Sequence, residues 1–276
     1  MPASRIALVA AVLLLVALVG LYWYATGGFS VDHRTPDWLL SQPIAHRGLH
    51  TGNSYRPENS LAAFRAAARD GYSIELDVQI TSDGTLVVMH DENLARMTGD
   101  PRDISSVTAA EVTRLRLLES SETVPTLGNV LETVQGRVPI FVEVKNSGAV
   151  GVLEDTVARQ LKAARGPVAV MSFNPLSLAR IAERAPEIPR GQLAGTFEGE
   201  DLSLLKKLVL SRMLMNWKSA PDFIGYDLRG MPSFSTWLQR KQGRPLIVWT
   251  AQTPEDYDRA LQLGDEVVFE LGATPD

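Results

Sequence analysis

The sequence predicts a (β/α)8 barrel of the TIM type behind an N-terminal transmembrane helix. Three observations point there. Eight short apolar runs alternate with helix-like stretches after residue 42; an uncharged stretch runs from Ile6 to Tyr24; and charged side chains recur in or at the ends of several apolar runs. Strands alternating with helices imply βαβ units, a parallel sheet and right-handed crossovers. Eight units favour a closed barrel over an open doubly wound sheet, and 276 residues suffice for one such domain.

The first element is the uncharged stretch, close to the roughly 20 residues that cross a bilayer as a helix. Arg5 precedes it, and Tyr22, Trp23 and Tyr24 close it as an interfacial aromatic cluster. A cleaved signal peptide competes with this reading. Signal-peptide apolar cores are shorter and end at a small-x-small site, for which Ala25-Thr26-Gly27 is only a weak candidate. The length favours an uncleaved signal anchor. The positive charge before the helix keeps the N-terminus inside, which puts the rest on the extracytoplasmic side; cleavage would instead leave it secreted or periplasmic. The predicted organisation is an anchor over 1–28, a juxtamembrane linker over 29–41 and a barrel over 42–276 with an insertion over about 91–125.

The strand-like runs are Pro43–Arg47, Ser73–Val78, Pro139–Val144, Val168–Ser172, Gly191–Ala194, Phe223–Asp227, Leu246–Thr250 and Glu266–Glu270. Helical spacing appears in Ser60–Arg69, Leu153–Ala164, Leu176–Arg184, Leu202–Lys207, Phe234–Lys241 and Glu255–Leu263. Asn59 or Ser60 and Thr253-Pro254-Glu255 are start signals, and Gly71 and Gly264 fall where C-terminal caps belong. Met89 to Thr126 is the longest irregular stretch, with a hairpin-like piece before it at Gly84–Met89 and a helix predicted over Thr108–Leu117. Loops of that length are usually functional. Leu205 to Trp217, rich in Leu, Met and Lys, reads as a buried barrel helix in preference to a membrane-facing surface.

Composition narrows the function. The net charge of −5 argues against nucleic acid, whose binding is dominated by Lys and Arg contacts to phosphate. The absence of cysteine excludes disulfides, thiolate nucleophiles and Cys-ligated zinc. No glycine-rich phosphate loop is present, which disfavours nucleoside triphosphate chemistry.

The charged residues in apolar runs carry the chemistry. They lie in Ala45-His46-Arg47-Gly48, Ile74-Glu75-Leu76-Asp77-Val78, Met89-His90-Asp91 and Phe141-Val142-Glu143-Val144-Lys145. A charge buried without a partner costs several kcal/mol or more, so such groups persist when paired or metal-bound. Period-two geometry puts Glu75 with Asp77, and Glu143 with Lys145, on the faces aimed at the barrel mouth, where active sites of this architecture sit. Three converging carboxylates fit one hard divalent cation, Mg²⁺ or Ca²⁺. The alternative, salt bridges to Arg47 and Lys145 with no metal, leaves three anions facing two cations. A cation with Arg47 and Lys145 suits the nonbridging oxygens of a phosphate ester. Two histidines, His46 and His90, can divide the proton transfers between nucleophile and leaving group, and the sequence does not say which is acid and which is base. Asp91 either orients His90 or caps the next turn. His33 and His50 lack such context and read as surface or loop residues. Asp227 ends a strand and is a candidate pocket residue.

The ordered set AHRG, RPENSLAAF, GYSIELDVQITSDGTLVVMHDENLARMTG, PTLGNVLE and IFVEVK resembles the glycerophosphodiester phosphodiesterase family, densely from about Pro43 to Lys145 and more thinly in SFNP (Ser172–Pro175) and VWT (Val248–Thr250). The resemblance implies a metal-dependent barrel that hydrolyses glycerophosphodiesters to glycerol 3-phosphate and an alcohol. It implies His46 and His90 as the acid/base pair, Glu75, Asp77 and Glu143 as ligands of one divalent cation, and Arg47 and Lys145 as phosphate contacts. Glu58 would organise the site, Phe173 and Trp249 would line the pocket, and the insertion would cover the barrel mouth.

One departure stands out. The family usually ends its last strand with Thr-Asp, where this chain has Phe269-Glu270, which is expected to alter the pocket floor. Three functions are compatible with this residue set. One is hydrolysis of soluble glycerophosphodiesters. Another is a lysophospholipase D-type attack on lysolipids or other membrane lipids, and the last is a non-catalytic, membrane-attached binding protein.

Overall fold

A computed structural model describes residues 3–29, 35–51, 55–146 and 148–270. Nine strands form one sheet: β1 Ile44–Ala45, β2 Ser73–Ile80, β3 Leu86–Val88, β4 Ile140–Val144, β5 Val168–Ser172, β6 Arg190–Ala194, β7 Phe223–Asp227, β8 Leu246–Ala251 and β9 Glu266–Phe269. Eight of them pair in parallel in the order β1-β9-β8-β7-β6-β5-β4-β2, and β1 pairs with β2 to close the ring. The eight predicted runs are the eight barrel strands. The hairpin-like piece is β3, which pairs antiparallel with the end of β2 after a turn at Ser82–Gly84.

Residues buried all along the strands explain the apolar runs: every residue of β1, β4, β6, β7 and β9 is buried. Side chains alternate between two compartments. Ile44, Phe141, Ala169, Met171, Phe223 and Ile247 fill the barrel interior. Ile74, Leu76, Val142, Val170, Ile224 and Val248 face the helices. Phe64, from helix Leu61–Asp70, is fully buried in that outer layer, and truncating a core Phe to Ala costs about 3–5 kcal/mol. Ser60 caps this helix by accepting a hydrogen bond from Ala63 N, and Gly71 ends it in the left-handed region.

Several expectations change. Thr108–Leu117 is not one helix. A single turn, Ala109–Val112, is closed by a Thr108–Glu111 capping box, and the chain then extends so that Leu115 and Leu117 turn to one side. That alternation places them with Val87, Met89, Leu94, Met97 and Val124 in a separate small core under the insertion. The sequence reading assigns no helix between Thr126 and the strand at Pro139, yet Leu127–Val134 is one, with Leu127, Val130 and Val134 buried at helical spacing. Part of the stretch read as linker belongs to the barrel: Leu39 is fully buried in the interior core and Trp38 packs edge-on against Phe141. Helix Leu204–Ser211 buries none of its residues, so the buried-helix reading of Leu205 to Trp217 fails there, although Met213 and Asn216 beyond it are buried. His33 lies outside the described residues.

The N-terminal helix spans Ala3–Ala25 and is long and apolar enough to cross a membrane. Its end is fixed to the barrel. Arg244, 2% exposed, donates to the carbonyls of Gly27 (2.8 Å) and Pro221 (3.0 Å) and to Gln239 and Gln242. Gln239 in turn donates to the Thr26 carbonyl at 3.2 Å.

Candidate active site

The carboxyl ends of the parallel strands converge on a cleft of about 1130 Å³, and His46, Arg47, Glu75, His90, Glu143 and Lys145 all line it. Strand register brings the acids together. Asp77 on β2 is directly opposite Glu143 on β4, and Glu75 lies two residues back on the same face. Glu75, Asp77 and Glu143 each present an oxygen within 4.8 Å of the others. Their surroundings match a cation site. Asp77 Oδ1 is buried with no hydrogen-bond partner, while Oδ2 accepts from Asn59 Nδ2 at 2.9 Å. Glu75 Oε2 accepts a backbone N–H, from Arg47 at 2.9 Å. Burial, reinforced by the neighbouring acids, pushes the Glu75 carboxyl well above its ordinary value; Glu143 is raised by burial as well. Asp77 goes the other way. Burial alone would raise it, but Lys145 and Arg47 outweigh that and hold it at about 2. A divalent cation would offset the burial and mutual repulsion of these carboxylates, so the donor set fits a hard, oxygen-preferring ion.

Two cations stand beside the acids. Lys145 Nζ lies 3.0 Å from Glu143 Oε1 and 3.8 Å from Asp77 Oδ1. Arg47 donates to Glu58 Oε1 at 2.9 Å and approaches Asp77 Oδ2 at 3.5 Å. Arg47 sits at φ 51°, a conformation uncommon for a residue with a Cβ. Gly48 follows at φ 81°, and a Cβ there would meet Ala63 and Phe64 at 2.9 Å. The His-Arg-Gly run is thus a tight backbone turn pressed against helix Leu61–Asp70. Asn59, at φ 56°, ties the turn down by donating its N–H to the Arg47 carbonyl at 2.9 Å.

Each histidine has its own carboxylate. His90 Nδ1 is 2.8 Å from Asp91 Oδ1, and Arg96 holds Asp91 from the other side at 2.6 Å. This settles the role of Asp91: it orients His90. Gln79 donates to the carbonyls of Met89 and His90 at 3.1 Å each, fixing the turn that carries the ring. Burial lowers the His90 pKa, with Lys145 and Arg47 adding to the effect against Asp77. His46 Nδ1 is 3.2 Å from Glu270 Oε2, and its Nε2 points toward Glu75 at 4.0 Å. His50 Nε2 stands 2.9 Å from the other oxygen of Glu270, off the line of a straight ring N–H bond. His50 is therefore not a surface residue: it is 6% exposed and flanks Glu270.

The last-strand departure also has a different meaning from the one the sequence suggests. Phe269 turns outward against Tyr72 and Tyr257, and Glu270 reaches His46 instead of flooring the pocket. Glu58 bridges Arg47 and Arg96, joining the two halves of the site. Phe173 and Trp249 line the cleft and meet edge to face at 5.5 Å. Asp227 lines it too, held by Arg229 at 2.6 Å.

Asn59, Gln79, Arg96, His50 and the pairing role of Glu270 escape a sequence reading. Asn59 had a visible signal, since its neighbour Glu58 lies in the same PEN run; Gln79 and Arg96 act through turns of nearby chain, and the pairing of His46 and His50 with Glu270 depends on barrel closure.

A model of the glycerophosphoryl diester phosphodiesterase family matches residues 46–269. The chain is similar to a glycerophosphodiester phosphodiesterase of Bacillus subtilis, 26% identical over 258 residues covering 85% of this chain and 84% of that one. A glycerophosphodiester phosphodiesterase of Caldanaerobacter subterraneus is 29% identical over 235 residues, covering 80% and 90%. Among solved structures, the Thermotoga maritima glycerophosphodiester phosphodiesterase superimposes with a TM-score of 0.64 at 25% identity, covering 83% and 94%. A phosphodiesterase of Oleispira antarctica, solved with its product sn-glycerol-3-phosphate, shares the fold with a TM-score of 0.67 at 23% identity, covering 83% and 92%.

Proposed function

Since the chain belongs to the glycerophosphoryl diester phosphodiesterase family and is a phosphodiesterase, we propose that it hydrolyses glycerophosphodiesters to glycerol 3-phosphate and an alcohol, using His46 and His90 as the acid/base pair. The observation that carries this reading is the pair of histidine–carboxylate couples facing one three-acid cluster in a single cleft. Glu75, Asp77 and Glu143 would hold one divalent cation, Mg²⁺ or Ca²⁺, which would supply Lewis-acid charge next to the phosphate.

The side chains divide the remaining work. Lys145 and Arg47 face the phosphate and balance the charge that builds on its nonbridging oxygens. In each histidine the Nδ1–H donates to a carboxylate, so the ring is held in one tautomer with Nε2 free to exchange a proton. One Nε2 takes the proton of the attacking water. The other gives a proton to the leaving alkoxide as the P–O bond breaks, so that protons balance over the cycle. Glu58 keeps Arg47 in place by direct hydrogen bonding and is itself held by Arg96.

A second reading has its own observation. One wall of the cleft is apolar, built from Phe173, Phe197, Leu205, Val209, Leu210 and Met215, and would accept the acyl chain of a lysolipid. The apolar N-terminal helix supports a membrane anchor with the barrel on the extracytoplasmic side, where such a substrate would be near.

The test offers glycerophosphocholine and lysophosphatidylcholine side by side with Mg²⁺, Ca²⁺ or EDTA. Chelator-sensitive release of glycerol 3-phosphate from the first is expected. Turnover of the lysolipid alone would replace the soluble substrate with a lipid, and turnover of neither would leave a binding protein.

A further inference from the structure

The N-terminal helix is not merely attached to the barrel; its direction is set. Helix Phe234–Lys241 joins the carboxyl end of β7 to the start of β8, so it runs antiparallel to the strands. Phe234 therefore lies near the catalytic rim, and Gln239 to Arg244 lie near the opposite rim. Tyr22 meets Phe234, with ring centroids 6.3 Å apart, while the carbonyls of Thr26 and Gly27 accept from Gln239 and Arg244. The end of the N-terminal helix thus descends the barrel side from the catalytic rim toward the opposite one. Residues 4–21 are exposed throughout, and the helix axis carries them back past the rim on which the cleft opens.

The surface on that side is apolar where a soluble face would be polar. Leu204, Leu205 and Leu208 are 87%, 71% and 51% exposed on the helix Leu204–Ser211. The same helix gives Leu205, Lys206 and Val209 to the cleft wall, so it is the lip of the active site. Next to the N-terminal helix, Trp217 stacks on Tyr24 at 5.6 Å and Phe234 stacks on Trp237 at 5.4 Å, and all four are about half exposed. Ser203 to Ser219 carries Lys206, Lys207, Arg212 and Lys218 and no carboxylate, within a chain of net charge −5. Exposed leucines with interleaved lysines and flanking aromatics are the composition of a helix lying in a lipid interface, with the lysines reaching up to the headgroups.

We infer that this protein holds its catalytic rim against the bilayer, with the patch formed by helix Leu204–Ser211 and the Phe234 and Trp237 pair in the headgroup layer and the cleft opening at the lipid surface. The occupant of the patch is the bilayer that receives the N-terminal helix, because the patch is continuous with the aromatic end of that helix. This rests on reading Ala3–Ala25 as a membrane helix.

The chain has no cysteine, so single-cysteine variants can be labelled without background. The full chain, reconstituted in vesicles of phosphatidylcholine with phosphatidylglycerol, would carry a nitroxide at Val16, Leu204, Leu208, Phe234 or, on the opposite rim, Glu187. Collision with oxygen reports lipid contact, and collision with a water-soluble nickel chelate reports aqueous exposure. Lipid-like accessibility is expected at Val16, Leu204→Cys, Leu208→Cys and Phe234→Cys, with Glu187→Cys aqueous. Lipid-like Val16→Cys with aqueous signals at the three patch positions would overturn the orientation and keep the anchor. An aqueous Val16→Cys would overturn the membrane reading itself, and the orientation with it.

Discussion

The two histidines reach the same cleft by different routes. His90 takes its carboxylate from the next residue, Asp91, and the Gln79 bonds and Arg96 hold that couple within the first hundred residues. His46 takes its carboxylate from Glu270, 224 residues away, beyond the last strand. That couple exists only because β1 pairs with β9 and His46 N donates to the Phe269 carbonyl at 3.0 Å. One couple is a product of local chain geometry and the other of barrel closure. The comparison teaches that a side chain of the cleft can be legible in a sequence while the carboxylate paired with it is not.

Removing each ring in turn breaks the comparison most strongly. His46→Ala and His90→Ala are each expected to lower kcat on glycerophosphocholine by about 10²- to 10⁴-fold, the range for losing one general acid or base. A variant with wild-type turnover would remove that histidine from the chemistry. The cation is the next lever. Burial raises the Glu75 and Glu143 carboxyls, and a bound cation favours their ionised forms, so binding Mg²⁺ or Ca²⁺ is expected to release protons. Calorimetry in two buffers of different ionisation enthalpy should show it. The sign for stability follows: raised carboxylates cost folding energy as pH climbs above their unfolded value, so the cation's gain in Tm should be larger at pH 8 than at pH 5. A gain that shrinks with rising pH would contradict the acid cluster as the binding site.

Substituting the carboxylates sharpens the comparison. Glu270→Gln and Asp91→Asn keep the shape but remove the charge, and each is expected to lower kcat by about 10- to 100-fold, less than loss of its ring. KM should change little if the carboxylates act only through the histidines. Glu270→Asp, which shortens the reach to His46, should recover part of the loss, whereas a purely structural role would respond to fold stability alone.

The same contrast explains what the sequence disclosed. Glu75, Asp77 and Glu143 were legible because charges in β-branched runs violate strand composition, and the period of two fixes their common face. His46 and His90 were legible at strand ends. All eight barrel strands were legible as apolar runs. Glu270 was misread because it occupies a position where only tertiary closure defines a partner; His50 does lie in a loop, as read, but its burial beside Glu270 was not legible because one imidazole carries no local pattern. Helix Leu204–Ser211 was misread as buried because apolar spacing reports an apolar neighbour without saying whether it is protein or lipid.

The smallest effect is also the most direct test of barrel closure. Burial would raise Glu270, but the hydrogen bond with His46 and the adjacent His50 ring overcome it and hold the carboxyl well below its ordinary 4.5. Asp91 behaves alike: burial is outweighed by Arg96 and His90, and its pKa falls from 3.8 to about 2. A depressed carboxylate stabilises the fold above its unfolded pKa, and that stability is lost as pH falls through the folded value. Wild type should therefore exceed Glu270→Gln by about 1–3 kcal/mol at pH 7, the worth of hydrogen bonds to a charged group. For Asp91→Asn, more open to water, the difference should be about 0.2–1 kcal/mol. Both differences should narrow steadily in urea unfolding series taken from pH 6 down to pH 3.5, with the Glu270 difference the larger throughout. Closure of β1 on β9 gives Glu270 a role that Asp91, fixed by its own neighbours, does not have. Equal differences at every pH would mean that the remote couple adds nothing to the fold beyond what the local one does.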